Sequence, residues 1–255
     1  MDILETLHSN LIFYPSKELN SSPASEGIQY EEVYIDTSDG EKLYGYFLPS
    51  VGVGLKPSRT VMLYLHGNAE NVSAWYMACT EIQKHVPVNS LIVDYRGYGK
   101  STGTPSLDGV ILDAKAMYKY LIDRGYKPGD ISVYGRSIGG AIALELAACE
   151  KIKSVVVQSS FTSLKDIAKE LYAFLPHELI KNNIWNSKEL ITKIKAPVLI
   201  SHGDKDEIIS INHSYKLYEL ANEPKKLIVL KGATHNDISS FLSEEYFKTL
   251  KEYFL

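Results

Sequence analysis

The sequence predicts an α/β protein: a mostly parallel, eight-stranded sheet with helices on both faces and an antiparallel hairpin near its N-terminus. Three observations carry that prediction. From residue 60 onward, short apolar runs alternate with helical patterns, the arrangement of parallel strands joined by crossover helices. Before them, two alternating runs flank the turn residues Ser38-Asp39-Gly40, which reads as a hairpin. Finally, Ile131–Ala148 begins as a β-branched strand, passes through Gly135-Arg136-Ser137-Ile138-Gly139, and becomes an Ala/Leu-rich helix.

Taken in order, residues 1–28 hold a short amphipathic turn, Leu11-Ile12-Phe13-Tyr14-Pro15, and a Ser/Asn/Pro-rich loop, expected as an arm laid over the domain. Glu31–Thr37 and Lys42–Leu48 alternate as the hairpin strands. Thr60–Leu65 predicts a buried strand, followed by His66-Gly67-Asn68-Ala69 and a helix to about His85. Ser90–Tyr95 predicts the next strand, ending in a Gly-rich loop, and Leu107–Arg124 has apolar residues at helical spacing. Lys153–Gln158 follows as a strand. Residues 159–194 then break the alternation with segments rich in Leu, Tyr, Phe and Trp (Ile167–Phe174, His177–Trp185), longer than a connection needs, and predict a small helical cap. The alternation resumes with a strand at Pro197–Ser201, a helix at Asn212–Leu220, a strand at Lys226–Leu230 and a closing helix that carries Phe241, Tyr246, Phe247, Leu250 and Phe254. No internal repeat or long linker divides the chain, so residues 1–255 are expected to form one domain with the cap inserted at about 159–194.

The strand-turn-helix at Ser137 is where the chemistry is expected. A Ser squeezed between a strand and a helix takes a strained backbone, and the positions two before and two after it must lack side chains; Gly135 and Gly139 supply that. The geometry lifts the hydroxyl above the carboxyl edge of the sheet and places the backbone N–H of Ile138, at the helix N-terminus, where an oxyanion forms. A Ser hydroxyl becomes nucleophilic only when a base takes its proton and a third group holds that base in one tautomer. Downstream, Asp206 follows one strand and His235 the next, at the edge that carries Ser137. The order Ser, Asp, His fits a triad on this topology.

Composition narrows the alternatives. At 255 residues, 45% apolar and 23% charged, with a formal net charge of −4, the chain is an ordinary globular sequence without a basic surface for nucleic acid. The N-terminal residues carry acid where a signal peptide needs base, and no apolar run reaches the roughly 18–20 residues of a membrane span, so no transmembrane segment and a cytoplasmic location are expected. Cys79 and Cys149 read as buried small apolar residues, with no disulfide framework. No cluster has metal-ligand spacing and no cofactor fingerprint appears, so no metal and no cofactor are expected. The glycines after Asp94 lack the order of a phosphate-binding loop.

Several motifs together resemble the α/β-hydrolase superfamily. They are His66-Gly67-Asn68, Asp94-Tyr95-Arg96-Gly97-Tyr98-Gly99-Lys100-Ser101, the Ser137 turn, His202-Gly203-Asp204-Lys205-Asp206, and Gly232-Ala233-Thr234-His235. The Asp-Tyr-Arg-Gly-Tyr-Gly stretch, Phe161-Thr162-Ser163 and His235-Asn236-Asp237 are similar to the small-capped group that includes protein depalmitoylases. The cysteine-rich N-terminus of those depalmitoylases, and the N-terminal membrane helix of related members, have no counterpart in this sequence. The resemblance implies Ser137 as nucleophile, His235 as general base and then acid, Asp206 rather than Asp204 as the orienting carboxylate, and a second oxyanion donor in the backbone N–H of Asn68. His66, His202, Asp94 and Arg96 are expected to shape loops. The cap aromatics Phe161, Tyr172, Phe174 and Trp185 either line an acyl pocket or pack the cap on the core. The expected activity is hydrolysis of a carboxylic ester or thioester through an acyl-enzyme, on a small molecule or an acylated protein. A peptidase or lipase of the same fold, or a ligand receptor with little turnover, are the alternatives.

Overall fold

A computed structural model describes residues 11–50, 59–171 and 185–255. The main sheet has eight strands: β1 (Glu31–Asp36), β2 (Lys42–Leu48), β3 (Val61–Leu65), β4 (Asn89–Val93), β5 (Ile131–Arg136), β6 (Ser154–Gln158), β7 (Val198–Gly203) and β8 (Lys225–Leu230). Their spatial order is β8-β7-β6-β5-β3-β4-β2-β1. β2 runs antiparallel to both neighbours, and every other pair is parallel. The helices are α1 (Val72–His85), α2 (Gly109–Asp123), α3 (Ile138–Cys149), α4 (Leu164–Leu171), α5 (Ser187–Leu190), α6 (Asn212–Leu220) and α7 (Glu244–Phe254).

The period-2 alternation of a strand decides which helix each residue meets. Leu63, Leu65, Val133 and Val157 face one apolar layer with Val110 and Met117 of α2 and Ile142 of α3. Met62, Tyr64, Tyr134 and Val156 face the other, with Tyr76 and Ile82 of α1 and Leu250 and Phe254 of α7. Strands covered on both sides read as continuous apolar runs, which is why they were visible in the sequence. The connection after β4 passes back across β3 to β5, so the strand order reverses at β3. The loops that follow β3 and β5 therefore flank a crevice at the carboxyl edge, where α/β sheets place their ligands.

Two local expectations change. α4 begins at Leu164, three residues before the predicted start, because the Ser163 hydroxyl accepts the Asp166 N–H at 3.0 Å and caps the helix. The end of that predicted helix, and the His177–Trp185 helix except Trp185, fall on residues 172–184, outside the described residues. Cys79 is buried as expected, but Cys149 is exposed. It ends α3 one turn beyond the half-buried Glu145, on the wetter side of the helix.

Arg96 ties the Gly-rich loop to two distant segments. Its Nε and Nη2 donate to Asp113 Oδ1 of α2 at 2.9 and 2.8 Å, and its backbone N–H to Asp113 Oδ2 at 2.8 Å. Nη1 and Nη2 grip Asp39 of the hairpin turn at 2.7 and 3.0 Å. Burial raises the Asp113 pKa, with the hydrogen bonds from Arg96 pulling the other way. Arg96→Met leaves a buried carboxylate without its cation, and a loss of about 3–5 kcal/mol is expected in urea unfolding.

Candidate active site

Ser137 joins β5 to α3 with φ 55° and ψ −120°, a conformation that L-residues rarely hold. Its N–H donates to the Gln158 carbonyl of β6 at 2.9 Å, so the strain is held by the sheet. The flanking glycines are required by contact. A Cβ on Gly135 would strike the Gly139 carbonyl, and one on Gly139 would strike the Leu65 carbonyl. A Cβ on Gly140 would come within 2.6 Å of Ser160 Cβ, so all three let α3 sit close against the strands.

The loop after β3 runs past the same turn. An added Cβ on Gly67 would lie 3.8 Å from Ser137 Cβ and 3.0 Å from the Trp75 ring. Asn68 follows it, anchored by a bond from its Nδ2 to the Ile12 carbonyl at 3.1 Å. Behind this loop, His66 and Asp94 are fully buried, with His66 Nε2 3.7 Å from Asp94 Oδ1. Burial lowers the His66 pKa to about 4 and pushes the Asp94 carboxyl well above its usual range. Their contacts are local: His66 Nδ1 lies 2.7 Å from the Gly67 carbonyl oxygen, and Asp94 Oδ1 accepts the Val72 N–H at the start of α1 at 2.7 Å. They shape loops, as expected.

His235 lies beyond β8 in a loop held by two other carboxylates. Asp204 Oδ1 accepts the Gly232 N–H at 2.7 Å, and Asp237 Oδ1 accepts the Thr234 N–H at 2.7 Å. Asp204 is thus occupied with the turn. Asp206 is the carboxylate that meets the histidine: its Oδ2 is 2.7 Å from His235 Nδ1 and 3.1 Å from His202 Nε2. Its Oδ1 accepts the backbone N–H groups of Ile208 and Ile209 at 3.0 and 2.8 Å. Burial favours a protonated Asp206, but the hydrogen bonds from His202, His235 and Ile209 N–H override it and hold the carboxyl well below the usual range. An ionised Asp206 makes His235 Nδ1 the donor and leaves Nε2 bare to accept a proton.

His202 does more than end a strand. Its Nε2 faces both Asp206 and the Ile209 carbonyl (2.8 Å), so that nitrogen carries the hydrogen, and the Ser214 hydroxyl donates to Nδ1 at 2.7 Å. It shares the Asp206 Oδ2 atom with His235 and so helps to fix the carboxylate. Arg136 is a second residue whose contribution was not read from the sequence. Its Nη2 donates to the His235 carbonyl at 2.8 Å, and its guanidinium lies 5.1 Å from the centroid of the Trp75 ring. The residue before Ser137 is therefore bonded to the loop of the candidate base. A cation between two motif glycines was the available signal.

The sequence-predicted residues sort as follows. Asp206 and His235 are in direct contact, and Arg136 binds the His235 loop to the Ser137 turn. Gly67 brings the Asn68 loop against Ser137, and Ile138 is the first residue of α3. Phe161 and Trp185 are buried and stacked, with centroids 6.4 Å apart. Tyr172 and Phe174 lie outside the described residues. Among the described residues, no group of three His, Cys, Asp or Glu side chains is arranged to hold a metal ion.

Comparison with known proteins identifies the family. The α/β hydrolase fold family matches residues 60–181. Protein bem46 of Schizosaccharomyces pombe is 32% identical over 245 residues, covering 93% of this chain and 81% of the relative. Rv2307c of Mycobacterium tuberculosis is 33% identical over 229 residues, covering 89% and 80%. Among solved structures, the Pyrococcus furiosus esterase Pf2001 superposes with a TM-score of 0.76 at 26% identity, covering 95% of this chain and 97% of the esterase. The chain belongs to the α/β hydrolases. Fold and esterase neighbours together support hydrolase activity.

The depressed pKa of Asp206 has a definite sign. Its stabilising contribution is complete above the ordinary carboxylate value and is withdrawn as pH falls through the lower folded value. Below about pH 4, unfolding free energy is expected to fall less steeply with pH in Asp206→Asn than in wild type, measured by urea unfolding.

Proposed function

We propose that the protein is a serine hydrolase acting on carboxylic esters or thioesters through an acyl-enzyme. Ser137 Oγ attacks the carbonyl carbon while His235 Nε2 takes its proton, and the carbonyl π pair moves onto oxygen. The backbone N–H groups of Asn68 and Ile138 receive that oxyanion. Collapse of the tetrahedral species expels the alcohol or thiol, which leaves with the proton from His235. Water then attacks the acyl-enzyme by the same route, giving the acid and restoring Ser137. The observation that carries the reading is the ionised, four-times hydrogen-bonded Asp206 against His235 Nδ1. It holds the imidazole in the one tautomer able to act as base.

Residues 159–194 form the cap of a single domain in this reading. The acyl chain lies against the cap aromatics, of which Phe161 and Trp185, stacked at 6.4 Å, are among the described residues. Both are buried, so an acyl chain reaches them when the cap shifts. The substrate is a small acyl ester or thioester, or an acylated protein. The unpaired Cys79 and Cys149 support a reducing, cytosolic setting. No described helix is long and apolar enough to cross a membrane.

Steady-state hydrolysis of p-nitrophenyl esters from acetyl to palmitoyl tests the reading. Turnover is expected to peak at one chain length and to vanish in Ser137→Ala. Asp206→Asn is expected to lose about 10⁴ in kcat, because the amide favours the wrong imidazole tautomer. Asp204→Asn is expected to remain near wild type, and the opposite ranking would reassign the carboxylate. Trp185→Ala is expected to move the optimum to longer chains. A burst without turnover would favour a ligand receptor.

A further inference from the structure

The oxyanion loop is built from two distant pieces of chain. Residues 12–21 run alongside residues 68–73 and bond to them at about every second residue. Tyr14–Pro15 pairs in parallel with Ala69–Glu70 as a separate two-stranded ladder. The Tyr14 N–H donates to the Asn68 carbonyl at 2.9 Å, and Asn68 Nδ2 donates back to the Ile12 carbonyl at 3.1 Å. Asn71 Nδ2 reaches the carbonyls of Ser16 and Glu18 at 3.1 and 2.7 Å, and the Asn20 N–H reaches Ser73 Oγ at 3.1 Å. On the far side, the Gly99 N–H donates to the Ser16 carbonyl at 2.8 Å, and Tyr98 Oη donates to the Asn68 carbonyl at 2.7 Å.

Two groups of Asn68 are thus spoken for by the arm: its carboxamide and its carbonyl. Fixing both holds Cα and its substituents in place, and with them the nitrogen from which the N–H projects. The arm also reaches the cap. Phe13 is buried and meets the Trp185 ring edge-on at 6.0 Å, and Trp185 in turn stacks on Phe161. The Tyr14 side chain is exposed, so the contribution of Tyr14 to the loop is its backbone.

We infer that residues 12–14 are positioning residues for hydrolysis: the arm straps the Asn68 N–H into the oxyanion site and links it through Phe13 to the cap. This rests on the serine-hydrolase reading above. The strap does not touch the reacting atoms. It sets a donor in advance, so that no reorganisation is needed when charge develops on the carbonyl oxygen. Arm, oxyanion donor and cap become one mechanical unit, and a perturbation of the arm is transmitted to turnover.

The test uses two full-length variants that cut different bonds of the strap. Tyr14→Pro removes the N–H that binds the Asn68 carbonyl. Asn68→Ala removes the carboxamide tether and keeps the backbone N–H. For each, kcat and KM are measured on the preferred p-nitrophenyl ester, together with the rate of Ser137 labelling by a fluorophosphonate and near-UV circular dichroism. Loss of one oxyanion donor costs about 10²–10³ in rate, so its misplacement is expected to lower kcat about tenfold to a hundredfold. KM is expected within about twofold of wild type, labelling to slow in parallel with kcat, and the near-UV spectrum to be retained. Unchanged kcat and labelling in both variants would overturn the inference. So would a loss that tracks loss of the near-UV spectrum, since the arm would then serve folding alone. If wild type hydrolyses no ester, the functional reading fails, while the labelling rates of wild type against the variants still decide the strap.

Discussion

The close approach of α3 to the strands beneath it is the constraint on which the rest of the site depends. Three glycines make the approach possible, at the positions where a Cβ would meet the Gly139 carbonyl, the Leu65 carbonyl and Ser160. Only with the helix so near can Ser137 sit at its mouth with a positive φ, at a backbone cost of about 1–3 kcal/mol. The hydrogen bond from Ser137 N–H to Gln158 on the adjacent strand, and the apolar packing of α3 on both β5 and β6, oppose that cost. The strained residue therefore stands on the most buried part of the fold. The most regular part of the structure supports the least regular residue.

Around that point the loops at the carboxyl edge are held by polar contacts rather than by apolar packing. Asp206 gathers His235, His202 and two backbone N–H groups on one buried carboxylate, and ionisation is favoured because these four donors outweigh the burial that opposes it. Arg136 then binds the His235 loop to the Ser137 turn, and lies beside the Trp75 ring that borders Gly67. The proposed base, nucleophile and oxyanion loop are thus joined through the Arg136 side chain. The N-terminal arm closes the same arrangement, so the Asn68 loop is bounded by the arm and by the Ser137 turn.

Much of this is legible in the sequence. Strands buried on both faces leave continuous apolar runs, and β3 to β8 each appeared within a few residues of their observed ends. Ser137 stood out because its glycines are obligatory at fixed offsets. The choice of Asp206 over Asp204 came from resemblance, and the structure supplies a physical ground for it: Asp204 is engaged with the Gly232 N–H. Cys149 was misread because an Ala-rich helix gives little amphipathic contrast, so its wetter side is poorly marked.

The sequence by itself determined the order of strands and helices, the sharp turn at Ser137 and the set of polar residues available at the ends of strands, because these follow from local periodicity and from glycine's missing side chain. The tertiary structure decided which of those residues meet. The Asp206–His235 contact spans 29 positions, Arg136 to His235 spans 99, and the Asn68 anchor on Ile12 spans 56. Separations of that size carry no periodic signal, since the partners are brought together by sheet order and loop path rather than by neighbouring residues.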